Sequence, residues 1–175
     1  MAKPYRVAVI TLSDKGSRGE REDKSGPLIR EMVQEAGYQV VHEVLLSDDR
    51  DGLRNELIRL CDGEICDLIL TTGGTGFSQR DQAPEATYDV MERNAPGIAE
   101  AMRYHSLSIT PRGMLSRSAS VIRKKTLIVN LPGSPKAVQE NLEYILPSLE
   151  HGIAILVGDD AECGHDHHHH GHEHH

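Results

Sequence analysis

The sequence predicts an α/β domain built on a mostly parallel sheet with helices on both faces. Three observations carry that reading. Apolar runs rich in β-branched residues alternate with segments of helical periodicity, in the order strand, helix, strand, helix, strand. The strand runs are nearly continuous in Val, Ile and Leu, as burial on both faces requires. Each of the first three ends on polar or glycine-rich residues, where the carboxyl ends of such a sheet hold ligands. The connections imply right-handed crossovers. The 175 residues, 38% hydrophobic and 26% charged, suffice for one domain with a full core.

Arg6 to Leu12 (RVAVITL) is the first strand, stopping at Ser13-Asp14. Gly16 to Ser25 reads as a charged polar loop, and a loop of that length after a buried strand is more often functional than idle. A helix opens at Gly26-Pro27, turns Leu28, Ile29, Met32, Val33 and Ala36 to one face, and stops at Gly37. Gln39 to Leu46 is the second strand, followed by Ser47-Asp48-Asp49 and a helix over Asp51 to Leu60. Asp67 to Thr72 is the third. Two proline-opened helices follow, Pro84 to Arg93 and Pro96 to about Leu107. Met114 to Ile122 leaves room for a short strand or hairpin arm. Thr126 to Leu131 is a buried strand that ends at Pro132-Gly133-Ser134-Pro135, where Ser134 suits an N-cap. The last helical region is expected to break at Pro147 into two helices.

The stretch DLILTTGGTGFSQRDQAPEAT, from Asp67 to Thr87, concentrates the chemistry. Gly73, Gly74 and Gly76 let the backbone turn sharply and bring N–H groups near a ligand, as phosphate-holding loops do. Arg80 and Asp81 follow, and the helix opened by Pro84-Glu85 offers an anion-favouring N-terminus. The loop is no Walker motif, because Phe77-Ser78 stands where Lys and Ser or Thr are needed, and no dinucleotide fingerprint, because residue 79 is Gln. On the glycines alone, a tight strand-to-helix turn is the bland alternative.

Composition narrows the functions. Phe77 is the only Phe, and with no Trp and five Tyr the chain lacks the aromatic platform of a base-stacking surface, so no nucleic-acid partner is expected. Nothing marks the sequence for a membrane or for export, and the expected compartment is the cytoplasm. Cys61, Cys66 and Cys163 read as buried or free thiols in a reducing compartment. Five of the 27 acids lie from Asp159 onward, so the body is nearly balanced despite the net charge of −8. Residues 101–139 hold no acid but carry Arg103, Arg112, Arg117, Arg123, Lys124, Lys125 and Lys136. That one-sidedness suggests a local site for a polyanion, with a solvated basic face or a subunit interface as the alternative.

Residues 1–158 therefore read as one folded domain, and 159–175 as an acidic, His-rich tail that cannot fold alone. The tail holds eight of the eleven histidines, and His167, His168, His169 and His170 are candidate ligands for a transition metal. A purification tag is the rival reading, though Asp166, Gly171 and Glu173 interrupt the histidines. His42, His105 and His151 are isolated and read as structural or surface histidines.

Taken together, SDKGSRGEREDKSGP at 13–27, TTGGTGFSQRDQAPEAT at 71–87 and MLSRSASVIRKKTLIVNLPGSPKAV at 114–138 resemble the molybdenum-cofactor biosynthesis proteins of the MogA/MoaB type. The resemblance covers residues 5–157. It implies a three-layer α/β/α fold, a homotrimer, and a molybdopterin adenylyltransferase that uses ATP and magnesium and releases pyrophosphate ahead of a downstream molybdenum-insertion protein. Asp48 and Asp81 match the family's essential carboxylates and would hold the magnesium. Ser47 stands where the family often has proline, which keeps Asp49 beside Asp48 as a candidate. Asp14, the loop Thr72, Gly73, Gly74, Thr75, Gly76, the segment Ser116, Arg117, Ser118, and the turn Asn130, Pro132, Gly133, Ser134 match substrate-lining segments. Two alternatives stand beside this reading: a nucleotide pyrophosphatase on the same fold, resembling the competence-damage proteins, and a molybdopterin carrier whose tail buffers metal.

Overall fold

Residues Arg6–Leu12 form strand β1, with six of the seven buried. Their parity dictates the layers. Val7 and Val9 lie in one apolar cluster with Leu68, Leu70, Leu127 and Val129, whereas Ala8, Ile10 and Leu12 lie in a second with Ile69 and Ile128. Successive side chains of a strand point to opposite faces, so a sheet apolar on both needs a helix layer on each. The computed structural model, which describes residues 4–159, supplies both layers.

In chain order the further elements are α1 (Asp14–Ser17), α2 (Ser25–Glu35), β2 (Gln39–Leu46), α3 (Arg50–Asp62), β3 (Leu68–Thr72), α4 (Ala83–Asp89), β4 (Arg93–Asn94), α5 (Pro96–Leu107), a 3₁₀ turn over Pro111–Leu115, β5 (Ser120–Arg123), β6 (Thr126–Leu131) and α6 (Pro135–Val157). The sheet runs β2-β1-β3-β6-β5-β4. Its first four strands are parallel, and β5 runs antiparallel to both of its neighbours, β6 and β4. Helices α2, α5 and α6 cover the Val7 face, and α3 and α4 cover the Ile10 face. The chain moves from β1 outward to β2 and returns to place β3 on the other side of β1. That reversal makes a crevice at the carboxyl ends of β1 and β3, the place where open α/β sheets take ligands.

The strands at 6–12, 39–46 and 126–131 and the helix at 96–107 match their sequence expectations, and the mostly parallel three-layer fold stands. Three expectations are corrected. The stretch after Ser13 begins with a helical turn, because Ser13 Oγ caps it by accepting from Gly16 N at 2.9 Å. The helix expected to reach Arg93 ends at Asp89, and Arg93-Asn94 becomes an edge strand on β5. There Glu92 N donates to Ile122 O at 3.1 Å and Ala95 N to Ser120 O at 3.0 Å, so pairing with a later strand overrides helical continuation. The short strand expected within Met114–Ile122 is β5, which starts at Ser120.

The break at Pro147 does not occur, and α6 runs unbroken for 23 residues. Pro147 lies on the exposed side of the helix, as does Glu143, whose carbonyl it leaves without a donor, while Leu142, Ile145, Leu149 and Ile153 hold one buried stripe through it. The cap residues behave as read: Ser134 Oγ accepts from Ala137 N at 3.3 Å, and Gly158 closes the helix at φ +85°. The proposed metal ligands His167, His168, His169 and His170, with Cys163, lie outside the described residues.

Because Pro147 sits exposed within a helix that continues anyway, Pro147→Ala restores one backbone hydrogen bond at no packing cost. Part of that gain is offset by the freer unfolded chain. The variant is expected to be more stable by about 2 kcal/mol in urea unfolding. Unchanged or lower stability would mean that the proline's fixed φ outweighs the missing bond.

Candidate active site

The carboxyl ends of β1, β2, β3 and β6 surround a cleft of about 730 Å³ lined by Ser13, Asp48, Thr72, Gly73, Gly74, Asp81, Gly133 and Ser134, among others. The approach of β3 to β1 leaves no room for a side chain at the first glycine. Gly73 has φ +95°, and a Cβ there would overlap the carbonyl oxygen of Leu12. Thr72 is fully buried, and its Oγ1 donates to Pro132 O at 2.6 Å, while Ser25 Oγ donates to Gly133 O at 2.7 Å. These two bonds fasten the β6–α6 turn to β3 and to α2. Gly73 N donates to Leu131 O at 3.3 Å; among the described residues, the N–H groups of Gly74, Thr75 and Gly76 meet no acceptor. They are the donors a phosphate would take.

Three carboxylates gather at the rim. Asp14 and Asp48 are joined reciprocally: Asp14 N donates to Asp48 Oδ2 at 3.0 Å, and Asp48 N donates to Asp14 Oδ1 at 3.0 Å. Arg80 holds Asp14 in a two-pronged pair, Nε to Oδ2 at 2.9 Å and Nη2 to Oδ1 at 2.8 Å. The guanidinium, followed by the Asp48 backbone bond, draws the Asp14 carboxyl down to about 2. Asp48 moves the other way. Burial raises its pKa first, and the charges of Asp14 and Asp81 add to the rise against the Asp14 backbone bond. Asp81 Oδ2 accepts from Ser78 N at 3.0 Å and occupies the space that a Cβ on Gly76 would need, which ties the third glycine to the carboxylate.

Asp49 is spent elsewhere. Its Oδ2 accepts from Gly52 N at 2.8 Å as the N-cap of α3, so Asp48 is the member of the pair that lines the cleft. For magnesium the donor set fits: Asp48 and Asp81 offer hard oxygens, and a half-buried carboxyl disfavoured by neighbouring charge is one that a cation relieves. Among the described residues no three His, Cys, Asp or Glu side chains are placed to hold a metal ion by themselves. Two carboxylates completed by substrate phosphate is the usual arrangement for this ion.

A second cavity of about 290 Å³ lies on the other side of the glycine loop and is lined by Thr75, Gly76, Arg103, Arg112, Ser116, Ser118 and Pro132. The sequence-derived residues are thus divided between two cavities that share one loop. Thr72, Gly73, Gly74, Asp48, Asp81, Gly133 and Ser134 line the first; Thr75, Gly76, Ser116, Ser118 and Pro132 line the second. Asp14 stands behind Asp48. Asn130 reaches neither: it is fully buried, its Oδ1 accepts from Ala119 N at 3.1 Å, and its Nδ2 donates to Thr71 and Thr87 Oγ1 at 2.9 and 3.0 Å. Arg117 also lines neither. The expected anion site at the start of the Pro84-Glu85 helix is replaced by an ion pair of Glu85 with Arg117, on a helix of only seven residues.

Residues that motif matching did not assign are Arg21, Asp23 and Lys24 of the charged loop, which line the first cleft, and Arg103 and Arg112 in the second cavity. Their signals were the length of that loop and the absence of acids over 101–139. Thr11 Oγ1 donates to Asp23 Oδ2 at 2.8 Å, and Gly26 N to Asp23 Oδ1 at 2.9 Å, so Asp23 anchors the loop to β1 and α2.

Residues 8–151 match the family described as "Probable molybdopterin binding domain". The chain is 41% identical over 155 residues to the molybdopterin adenylyltransferase of Helicobacter pylori strain J99, covering 87% of this chain and 88% of that protein. It is 41% identical over 159 residues to the molybdopterin adenylyltransferase of Escherichia coli K12, covering 87% and 81%. The crystal structure of the molybdopterin biosynthesis enzyme MoaB from Thermus thermophilus superposes with a TM-score of 0.84 at 44% identity, over 88% of this chain and 97% of that one.

The raised Asp48 has a consequence for stability. A carboxyl whose folded pKa exceeds its unfolded value opposes folding once it ionises, and the penalty develops as pH rises through the folded value. Asp48→Asn keeps an oxygen for the Asp14 N–H and removes the charge. It is expected to raise Tm by about 2 °C at pH 7 in calorimetry, with the gain vanishing near pH 3. A Tm equal to or below wild type at pH 7 would show that the carboxylate is compensated in the free protein.

Proposed function

The chain belongs to this molybdopterin-binding family, and from that premise we propose that it is a molybdopterin adenylyltransferase of molybdenum cofactor biosynthesis. A terminal phosphate oxygen of molybdopterin attacks the α-phosphorus of ATP. The new P–O bond forms as the bond from the α-phosphorus to the bridging oxygen breaks, and pyrophosphate leaves with that electron pair. The products are adenylyl-molybdopterin and pyrophosphate. A phosphate monoester is largely ionised near neutral pH, so no strong general base is required. The chain's task is to bring two polyanions together and to offset charge in the transition state.

The observation that carries this reading is the meeting of Asp48 and Asp81 at a glycine loop with a cavity on either side. Amides of Gly74, Thr75 and Gly76 hold phosphate oxygens on the loop, and Ser134 adds a polar group from the facing turn. Arg21 and Lys24 supply positive charge along the first cleft, and Arg103 and Arg112 along the second. When bound, magnesium held by Asp48 and Asp81 neutralises phosphate charge at the reacting centre. Asp14 acts through Asp48, because both of its oxygens are occupied by Arg80 and the Asp48 amide.

We further propose a homotrimer in the cytoplasm that passes its product to a downstream molybdenum-insertion protein. Support for self-association comes from exposed apolar side chains on three adjoining elements: Tyr104 and Leu107 on α5, Met114 and Leu115 on the 3₁₀ turn, and Tyr144 on α6. His105 and Tyr144 stack across α5 and α6 with centroids 4.2 Å apart. The reduced buried thiols Cys61 and Cys66 suit a reducing compartment, and no described helix is long and apolar enough to cross a membrane. Residues 1–158 form the catalytic domain in this reading, with the His-rich tail an accessory.

The decisive assay is pyrophosphate release from ATP and magnesium, with and without molybdopterin, on the full chain and on a chain ending at Gly158. Release that requires molybdopterin and survives truncation is expected; release without it would indicate a hydrolase, and binding without release a carrier. Asp81→Asn is expected to bind molybdopterin but lower turnover at least 100-fold, and full turnover by the folded variant would reject its role. Sedimentation equilibrium is expected to give about three times the 19.3 kDa chain mass. Leu107→Glu should lower that mass, and a wild-type monomer at micromolar concentration would reject the trimer.

A further inference from the structure

Arg117 belongs to the basic stretch whose cations suit polyanions, but its guanidinium is occupied by the protein. Nε donates to Gly76 O at 2.7 Å and Nη2 to Asp81 O at 2.7 Å. Nη1 reaches both oxygens of Glu85 at 2.9 and 2.8 Å, and the Arg117 amide donates to Thr75 O at 3.0 Å. Gly76 and Asp81 are the two ends of the six-residue loop that carries Arg80. One planar group therefore closes the loop from outside, and Glu85, on the first turn of α4, fixes that group and neutralises it. The side chains of Arg117 and Glu85 are only 33% and 28% exposed, and Arg117 borders neither cavity.

We propose that the Arg117–Glu85 pair is a positioning device that clasps the 76–81 loop and thereby aims the Asp81 carboxylate into the cleft. Among the described residues, the loop constrains that carboxylate through the Ser78 amide and the close approach of Gly76. Both depend on the path of the loop, which the clasp sets by holding the carbonyls at its ends. Lysine cannot replace the arginine, because an ammonium on a flexible stem does not span three acceptor groups in a plane. A phosphate-binding arginine would instead present unspent donors to a cavity, as Arg112 is placed to do.

The proposal rests on the assignment of Asp81 to adenylyl transfer, and two readouts separate its failure from failure of that assignment. The first is kinetic, at saturating magnesium, on Arg117→Met, Arg117→Lys, Glu85→Gln and the double variant Arg117→Met/Glu85→Gln. Misaiming a carboxylate by a fraction of an ångström is expected to lower kcat about 10- to 100-fold while KM for ATP stays within about twofold. Glu85→Gln moves kcat in the same direction, Lys does not rescue, and the double variant is no worse than Arg117→Met because the pair acts as one unit. The second readout needs no turnover. Amide hydrogen exchange at Ser78 is expected to quicken at least tenfold in Arg117→Met and Glu85→Gln, with global stability checked by urea unfolding.

A tenfold rise in KM for ATP or molybdopterin with kcat unchanged in Arg117→Met, and wild-type behaviour of Glu85→Gln, would make Arg117 a substrate ligand and overturn the clasp. Unaltered Ser78 exchange in both single variants would overturn it as well. If wild type releases no pyrophosphate, the functional assignment fails, and the exchange experiment alone still decides whether the loop is clasped.

Discussion

The site depends on the parallel pairing of β1 with β3, in register from Val7 with Leu68 to Thr11 with Thr72. That register ends both strands at the same height, so Ser13-Asp14 and Gly73-Gly74 emerge side by side. Pairing of β1 with β2 sets Leu12 opposite Leu46, and pairing of β3 with β6 sets Thr72 opposite Leu131, which brings the residues after those strands to the same rim. A slip of one residue in the pairing of β3 with β1 or β6 would invert the alternation that serves two cores at once. The buried faces thus enforce the geometry of the polar rim.

The same close pairing explains why Gly73 tolerates no side chain. Gly73 is required by the Leu12 carbonyl, whereas a Cβ at Gly76 would displace the Asp81 carboxylate, so two glycines of one loop answer to different constraints: the first to strand packing, the second to the site. Asn130 shows how far the sheet goes to hold this region. With no exposed surface, it joins β6 to Thr71 of β3, Thr87 of α4 and the chain entering β5. Buried polar networks of this kind rigidify when every group is satisfied, and here each polar atom of the amide has a partner.

The long runs and their punctuation were readable from the sequence, because double-sided burial leaves a continuous apolar signature and because Ser134-Pro135 and Gly37 are local signals. The glycine loop and Asp81 were readable for the same reason: their spacing is local. What escaped depends on partners distant in the chain. Arg93-Asn94 extends the sheet only because β5 offers an edge, and Pro147 is tolerated only because it faces solvent. Arg117 looked like one more phosphate-binding cation; its true partners are Gly76, Asp81 and Glu85, 41, 36 and 32 residues away. Asp48 and Asp49 could not be separated by composition, yet one capping bond to Gly52 separates them.

Asp14 and Asp48 differ in what surrounds them, and the difference bears on the roles proposed for them. Asp14 has lost its freedom: its oxygens meet the Arg80 guanidinium and the Asp48 amide, and its carboxyl is held near 2. It is a fixed charge that orients its neighbour and Arg80. Asp48 gives one oxygen to the Asp14 amide, while Oδ1 is turned toward Gly74, 3.4 Å from where a Cβ on that residue would lie. Burial and like charge keep it reluctant to ionise. Two carboxyls joined by reciprocal bonds are thereby pushed apart in pKa, a separation that marks distinct roles in a site. A group already satisfied by arginine gains little from a ligand. The group left short of compensation gains most, which supports the proposal that Asp48 is the one that meets bound charge.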